Sequence, residues 1–174
     1  MEVKILKYDE NAQIPSQAYS GDFCYDCYAI SEEEVAPNVW KYDLGIGLQI
    51  SRGIETIERP KVDMDRFGNI YGTYGGRALD FANSPIKLSI DARPRSSVWK
   101  TGMSLANCEG TIDEGYLNSI SAVFYHVMPN MPRYRPGDKV CQIKLGLTLP
   151  IEFVEVDKFD ETERGMNGYG SSGR

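Results

Sequence analysis

From Trp40 to Ile50 the side chains alternate without a break: Trp40, Tyr42, Leu44, Ile46, Leu48 and Ile50 are apolar, and Lys41, Asp43, Gly45, Gly47 and Gln49 stand between them. Successive side chains of an extended chain point to opposite faces, so this run predicts one strand with a single buried face. The same period recurs in Ile86, Leu88, Ile90, in Ile120, Ala122, Phe124, and in Leu145, Leu147, Leu149, Ile151, Phe153. Burying each large apolar side chain contributes roughly 1.5 to 3 kcal/mol, so these faces supply the main favourable term for folding. Prolines punctuate the strands from Pro15 to Pro150, and no segment of ten or more residues carries a helical apolar stripe. The best helical candidate is a short turn at Ser97 to Thr101. Many short strands with turn signals between them read as an all-β sandwich or jelly roll.

With 174 residues, of which 41% are hydrophobic and 25% charged, the chain is sized for one closed core. No stretch approaches the ~18 continuous apolar residues of a membrane span. The start, Met1 to Lys7, mixes charge with Val3, Ile5 and Leu6 and does not read as a signal peptide, so a cytoplasmic protein is expected. A net charge of -6 argues against broad duplex nucleic-acid binding, which draws on a surplus of Lys and Arg. An anionic ligand must then be held by a local device. The cysteines Cys24, Cys27, Cys108 and Cys141 are few for a disulfide framework, and reduced thiols are expected.

Between Arg52 and Ser84 the texture changes to glycines interleaved with Tyr71 and Tyr74, with a hairpin tip expected at Arg66 to Ile70. This reads as a β-rich elaboration of the core. Thr162 to Arg174 is polar and glycine-rich and reads as a flexible arm. The expected organisation is a core over residues 1–161, with the insertion at about 52–84, and an arm over 162–174.

Three segments carry candidate chemistry. Gly168-Tyr-Gly-Ser-Ser-Gly173 matches G-x-G-x-x-G, but it follows no strand and opens no helix, so it fails as a dinucleotide fingerprint. Its glycines and hydroxyls, with Arg164 upstream, can instead form a nest for a phosphate chain. Ala92-Arg-Pro-Arg-Ser-Ser97 sets Arg95, Ser96 and Ser97 at a strand end, where a guanidinium fork and hydroxyls suit phosphate. Gly110-Thr-Ile-Asp-Glu-Gly-Tyr116 reads as a hairpin with Asp113 near its bend and Tyr116 on the returning strand. The Asp113 carboxylate, ionised at neutral pH, can accept a hydrogen bond from water and orient it for attack. Cys24-Tyr-Asp-Cys27 has no second ligand pair and does not read as zinc, and Asp63 to Tyr74 has Phe67 where a calcium loop needs a ligand. His126 lacks a Ser or Cys partner and reads as structural.

In order, these pieces resemble the trimeric dUTP diphosphatase (dUTPase) family, whose motifs run along the whole chain. The first resembles Tyr25-Asp-Cys-Tyr-Ala29, the second Pro94-Arg-Ser-Ser97, and the third Gly110 to Tyr116. The fourth resembles Pro136-Gly-Asp-Lys-Val-Cys-Gln142, and the fifth runs from Arg164 to Gly173. The resemblance implies a jelly-roll-like dUTPase fold, a homotrimer with shared sites, and hydrolysis of dUTP to dUMP and diphosphate with Mg²⁺ on the triphosphate. It assigns Asp113 to activating the attacking water. Asn107 and the backbone of Gly110, Thr111 and Ile112 would read the uracil edge, and Tyr116 would exclude a 2′-hydroxyl. Arg95, Ser96, Ser97 and Gln142 would hold phosphates, and Asp26 would reach the metal through water. From another subunit, Arg164, Ser171, Ser172 and the Gly168 and Gly170 backbone would meet phosphates, with the Tyr169 ring over the base. The chain departs from the family pattern at Cys24, at Leu117-Asn118 where Arg-Gly is usual, at Asn167, and in the length of 52–84.

Two other readings compete. The related dCTP deaminases place a catalytic Glu near Val123, and Val123 cannot activate water. The 52–84 insertion could alternatively serve as a protein-binding module, with hydrolysis secondary.

Overall fold

The computed structural model describes residues 2–51, 54–55, 63–64, 70–71, 79–80, 87–162 and 165. Five strands come before the insertion: β1 (Glu2–Lys7), β2 (Tyr25–Tyr28), β3 (Ser31–Ala36), β4 (Val39–Asp43) and β5 (Ile46–Ser51). Four two-residue strands follow: β6 (Ile54–Glu55), β7 (Asp63–Met64), β8 (Ile70–Tyr71) and β9 (Leu79–Asp80). The remainder is β10 (Lys87–Arg93), a 3₁₀ turn (Ser96–Lys100), β11 (Met103–Leu105), β12 (Gly110–Asp113), β13 (Ser121–His126) and β14 (Lys139–Thr148). No helix among the described residues is long and apolar enough to cross a membrane.

Two four-stranded sheets form the body, in the orders β12-β10-β14-β2 and β11-β13-β4-β3, beside the pair β1-β5. The core draws on all three: Leu88 and Ile90 of β10, Val140 and Ile143 of β14, Tyr42 of β4, Ala122 and Phe124 of β13, and Ile46, Leu48 and Ile50 of β5. At its centre the rings of Tyr42, Phe124 and Tyr134 meet edge to face at 5.3 to 6.1 Å, the geometry that aromatic quadrupoles favour. The Tyr42 hydroxyl donates to the Tyr134 carbonyl at 3.0 Å, and burial together with the nearby Glu32 carboxylate pushes its pKa up to about 12. The fold is all-β, jelly-roll-like, with one short helical turn where the sequence places it.

Three expectations change. The run Trp40 to Ile50 is two strands in different sheets, because Gly45 takes φ +66 and turns the chain between β4 and β5. The apolar track stays buried across that turn, with Tyr42 at 0%, Leu44 and Ile46 at 1% and Leu48 at 6% exposure. Period two therefore reported burial correctly and continuity wrongly. The last strand ends at Thr148, which pairs with the first residue of β10, Lys87, and Pro150 offers no N–H to continue the ladder. Leu149, Ile151 and Phe153 consequently lie beyond it and exposed. Tyr116 is not on a returning strand, since after β12 the chain crosses to β13 in the other sheet.

Within the insertion β6 pairs with β9 and β7 with β8, an antiparallel nesting that agrees with a β-rich elaboration. The expected tip at residues 66–69 and Ile86 lie outside the described residues.

Candidate active site

The second and fourth motifs meet at the end of β10 and β14. Arg93 pairs with Gln142 in register, and on the other edge of β14 Gln142 pairs with Asp26 of β2. Strand pairing thus brings three motifs far apart in sequence to one place. The Gln142 amide donates to the Pro94 carbonyl at 3.0 Å and fixes the turn from which Arg95 projects.

Arg95 grips Asp26 with two parallel bonds, Nε to Oδ1 at 2.8 Å and Nη2 to Oδ2 at 3.3 Å, and turns Nη1 to Ser97 Oγ at 3.3 Å. Lys139 adds a bond from Nζ to Asp26 Oδ2 at 3.0 Å. Asp26 is 8% exposed, the single buried charged residue among those described. Burial alone would raise its pKa, but the hydrogen bonds from Lys139 and Arg95 and their charges outweigh that and hold the carboxyl below its ordinary value of 3.8. One buried carboxylate is therefore matched by two cations. A cavity of about 370 Å³ opens here, lined by Asp26, Arg95, Ser96 and Gln142 together with Tyr19, Asp22, Phe23 and Cys24.

The third motif lies on β12, at the opposite edge of this sheet from β2, and runs away from the Arg95 turn toward Asp113. Among the described residues strand β12 pairs only with β10, with Gly110 opposite Ala92 and Asp113 opposite Ser89. Asn107 packs its amide over Gly110, where a side-chain carbon would stand 3.0 Å from Nδ2. A closed turn follows, the Tyr116 N–H donating to the Asp113 carbonyl at 3.0 Å. The exposed Asp113 borders a cavity of about 180 Å³ with Thr111, Ile112 and Tyr116, and a larger one of about 490 Å³ with Asp91, Lys144 and Glu109.

One chain does not bring the two halves together. Asp113 sits opposite Ser89, six residues before Arg95, a separation of ~20 Å at strand rise. Asp26, Arg95, Ser96, Ser97 and Gln142 are gathered; Thr111, Ile112, Asp113 and Tyr116 are gathered apart from them, with Asn107 at the foot of their strand. Of the fifth-motif residues, Arg164, Gly168, Tyr169, Gly170, Ser171 and Ser172 lie outside the described residues. The sequence reading missed Lys139, although it stands inside the fourth motif three residues before Gln142, and missed Asp22, Tyr19 and Phe23 just ahead of the first motif.

Other candidates resolve as structure. Cys27 is buried opposite Cys141 in the β2-β14 pairing, and its bond with that thiol, reinforced by burial, pushes it well up, while Cys24 lines the cavity apart from it. A ring nitrogen of His126 lies 3.1 Å from the Met131 carbonyl. Among the described residues no group of three or more His, Cys, Asp or Glu could hold a metal ion.

No family model matches the chain. A deoxyuridine 5'-triphosphate nucleotidohydrolase of Clostridium novyi is 29% identical over 174 residues, 99% of each chain. Among solved structures, a dUTPase variant of Staphylococcus bacteriophage 80alpha with dUpNHpp superposes with TM-score 0.68 at 16% identity, covering 99% of each chain. A dUTPase variant from phage phi11 of S. aureus, described for its coordination of a structural Mg(II) ion, matches with TM-score 0.61 at 15% identity over 92% of this chain and all of that one. The sequence likeness spans 99% of both chains and the sheets follow the fold of the phage enzymes, so the chain is similar to dUTPases in sequence along its length and in fold.

Proposed function

We propose that the protein hydrolyses dUTP to dUMP and diphosphate, at a site completed when the Asp113 half of one copy meets the Arg95 half of another. The observation that carries this reading is the separation itself. Asp113, which would orient water, and Arg95, which would meet phosphates, stand ~20 Å apart at strand rise on one chain, so neither works alone. The chain after β14 supports it, because Ile151, Phe153 and Phe159 are exposed and the described residues of this stretch, 149–162 and 165, are not among those of the core. A homotrimer whose arm over 162–174 closes on another copy's substrate joins these pieces.

Asp113 takes a proton from water, whose oxygen attacks the innermost phosphorus, and the bond from that phosphorus to its bridging oxygen breaks to release diphosphate. Ser96, Ser97 and the arm's Arg164, Ser171 and Ser172, with the Gly168 and Gly170 backbone, bind phosphate oxygens. Asn107 and the backbone of Gly110, Thr111 and Ile112 read the base edge, Tyr169 stacks on it, and Tyr116 walls off C2′. Arg95 keeps a planar fork aimed by Asp26, and Gln142 holds its turn. A magnesium ion arriving on the triphosphate would keep its waters, and Asp26, kept ionised by Arg95 and Lys139, would reach it only through one of them. The ion when bound offsets the substrate's negative charge, which lets an acidic protein bind it. Cytoplasmic residence fits this role.

Diphosphate release from dUTP, dTTP, UTP and dCTP, with and without Mg²⁺, tests the reading. Turnover of dUTP alone, dependent on Mg²⁺, is expected; ammonia release from dCTP would favour the deaminase alternative, and no turnover of any of the four would reject hydrolysis. A protein-binding role for 52–84 stands apart, and deleting the insertion should leave dUTP turnover intact.

A further inference from the structure

The segment after Tyr116 reads Leu117-Asn118, and the structure holds it by its backbone. Tyr8, one residue beyond β1, donates its hydroxyl to the Leu117 backbone carbonyl. Its own N–H donates to the Gly45 carbonyl at 2.8 Å, so the ring is mounted on the turn between β4 and β5. Gly47 leaves room for the contact: a side-chain carbon there would stand 2.6 Å from the Leu117 carbonyl oxygen and 2.9 Å from the Tyr8 ring. Further along, Ser119 Oγ donates to Asp43 Oδ1 at 2.5 Å and the Ile120 N–H donates to the Ile46 carbonyl at 2.9 Å. The ring of Tyr116 is tied to this same loop, its hydroxyl donating to the Ser119 carbonyl at 3.1 Å.

A wall rejects one extra hydroxyl only while it stays in place, because sub-ångström to ångström freedom is enough to admit the larger sugar. We propose that Tyr8 is a positioning residue for sugar specificity: by holding the Leu117 carbonyl it fixes the Tyr116 ring against a ribose 2′-hydroxyl. This rests on the reading of Tyr116 given above. The side chain of Leu117 is half exposed and apolar and offers no polar anchor, so the backbone carbonyl is what the protein grips. Both Tyr8 and Leu117 are about half exposed, which lets water replace the lost bond in a variant without a large folding cost.

Tyr8→Phe removes the hydroxyl alone. The measurement is kcat/KM for dUTP divided by kcat/KM for UTP on one preparation, a ratio from which any change in the fraction of folded enzyme cancels. The expected ratio falls about five-fold, the size of one modest hydrogen bond, mainly through faster UTP turnover. Amide hydrogen exchange of Tyr116 to Ile120 should quicken in parallel, a readout independent of activity. Gly47→Ala, which pushes on the same carbonyl from the other side, should lower the ratio as well. An unchanged ratio in Tyr8→Phe overturns the proposal, as does unaltered exchange. Tyr116→Ala separates the levels: if it collapses the ratio while Tyr8→Phe does not, the assignment of Tyr8 fails alone. If Tyr116→Ala leaves the ratio intact, the reading of Tyr116 falls and this proposal with it.

Discussion

Asp113 and Asp26 are two carboxylates given opposite circumstances. Asp113 ends an edge strand, exposed at the mouth of a cavity, where it can meet water; Asp26 is buried and gripped by Arg95 and Lys139. An amide has the shape of Asp113 without its basicity, so Asp113→Asn is expected to bind dUTP normally and lose roughly 10²- to 10⁴-fold in kcat, measured by steady-state turnover beside a binding titration. Equal turnover would remove Asp113 from the reaction. For Asp26 the lowered folded pKa means that the ion pair contributes stability above the unfolded value of 3.8 and loses it as pH falls through the folded value. Thermal melts of Asp26→Asn and the parent chain should therefore differ most near neutrality and converge as the pH drops below about 4. A gap that stays constant with pH would show that the pair is not what the substitution removed. Neither the pairing nor the role of Lys139 was legible in the sequence. Both depend on β2 lying beside β14, a contact between residues more than a hundred positions apart.

The strands themselves were largely legible, because a half-buried strand writes its period into the side chains it needs. Lys87–Arg93 and Ser121–His126 fall where Leu88, Ile90, Ala122 and Phe124 predict them. What alternation does not encode is a change of sheet: Gly45 belongs to the polar track of the Trp40 to Ile50 run and so passes unnoticed, yet its φ of +66 ends β4. A side chain there meets strain twice, from the left-handed backbone and from Ile30 Cδ1, which would lie 2.6 Å from the added carbon. Gly45→Ala is expected to destabilise the fold by about 1 to 3 kcal/mol in denaturant unfolding. A neutral substitution would mean that the turn relaxes freely and does not define the boundary between the strands. The crossing after β12 was hidden for a similar reason, since Asp113, Glu114 and Gly115 make as good a hairpin bend as a bend into another sheet.

Between chains, the account requires what a single chain lacks. The last described element of the body ends at Thr148 and the described residues after it give the core nothing, so a chain truncated before Arg164 should keep its melting temperature while losing most of its turnover. Failure of that truncated chain to fold would assign the tail to the structure and not to the site. The motifs themselves were legible in the sequence, but their division into two groups was not, because spacing along the chain says nothing about which end of a sheet a residue occupies. That division is tested most directly by subunit mixing. Asp113→Asn and Arg95→Ala chains, each nearly inactive alone, should recover about a quarter of parental dUTP turnover when refolded together in equal amounts, the share of sites that random assembly leaves with both intact residues. Turnover of the mixture no greater than that of the two variants measured separately would contradict a site shared between copies.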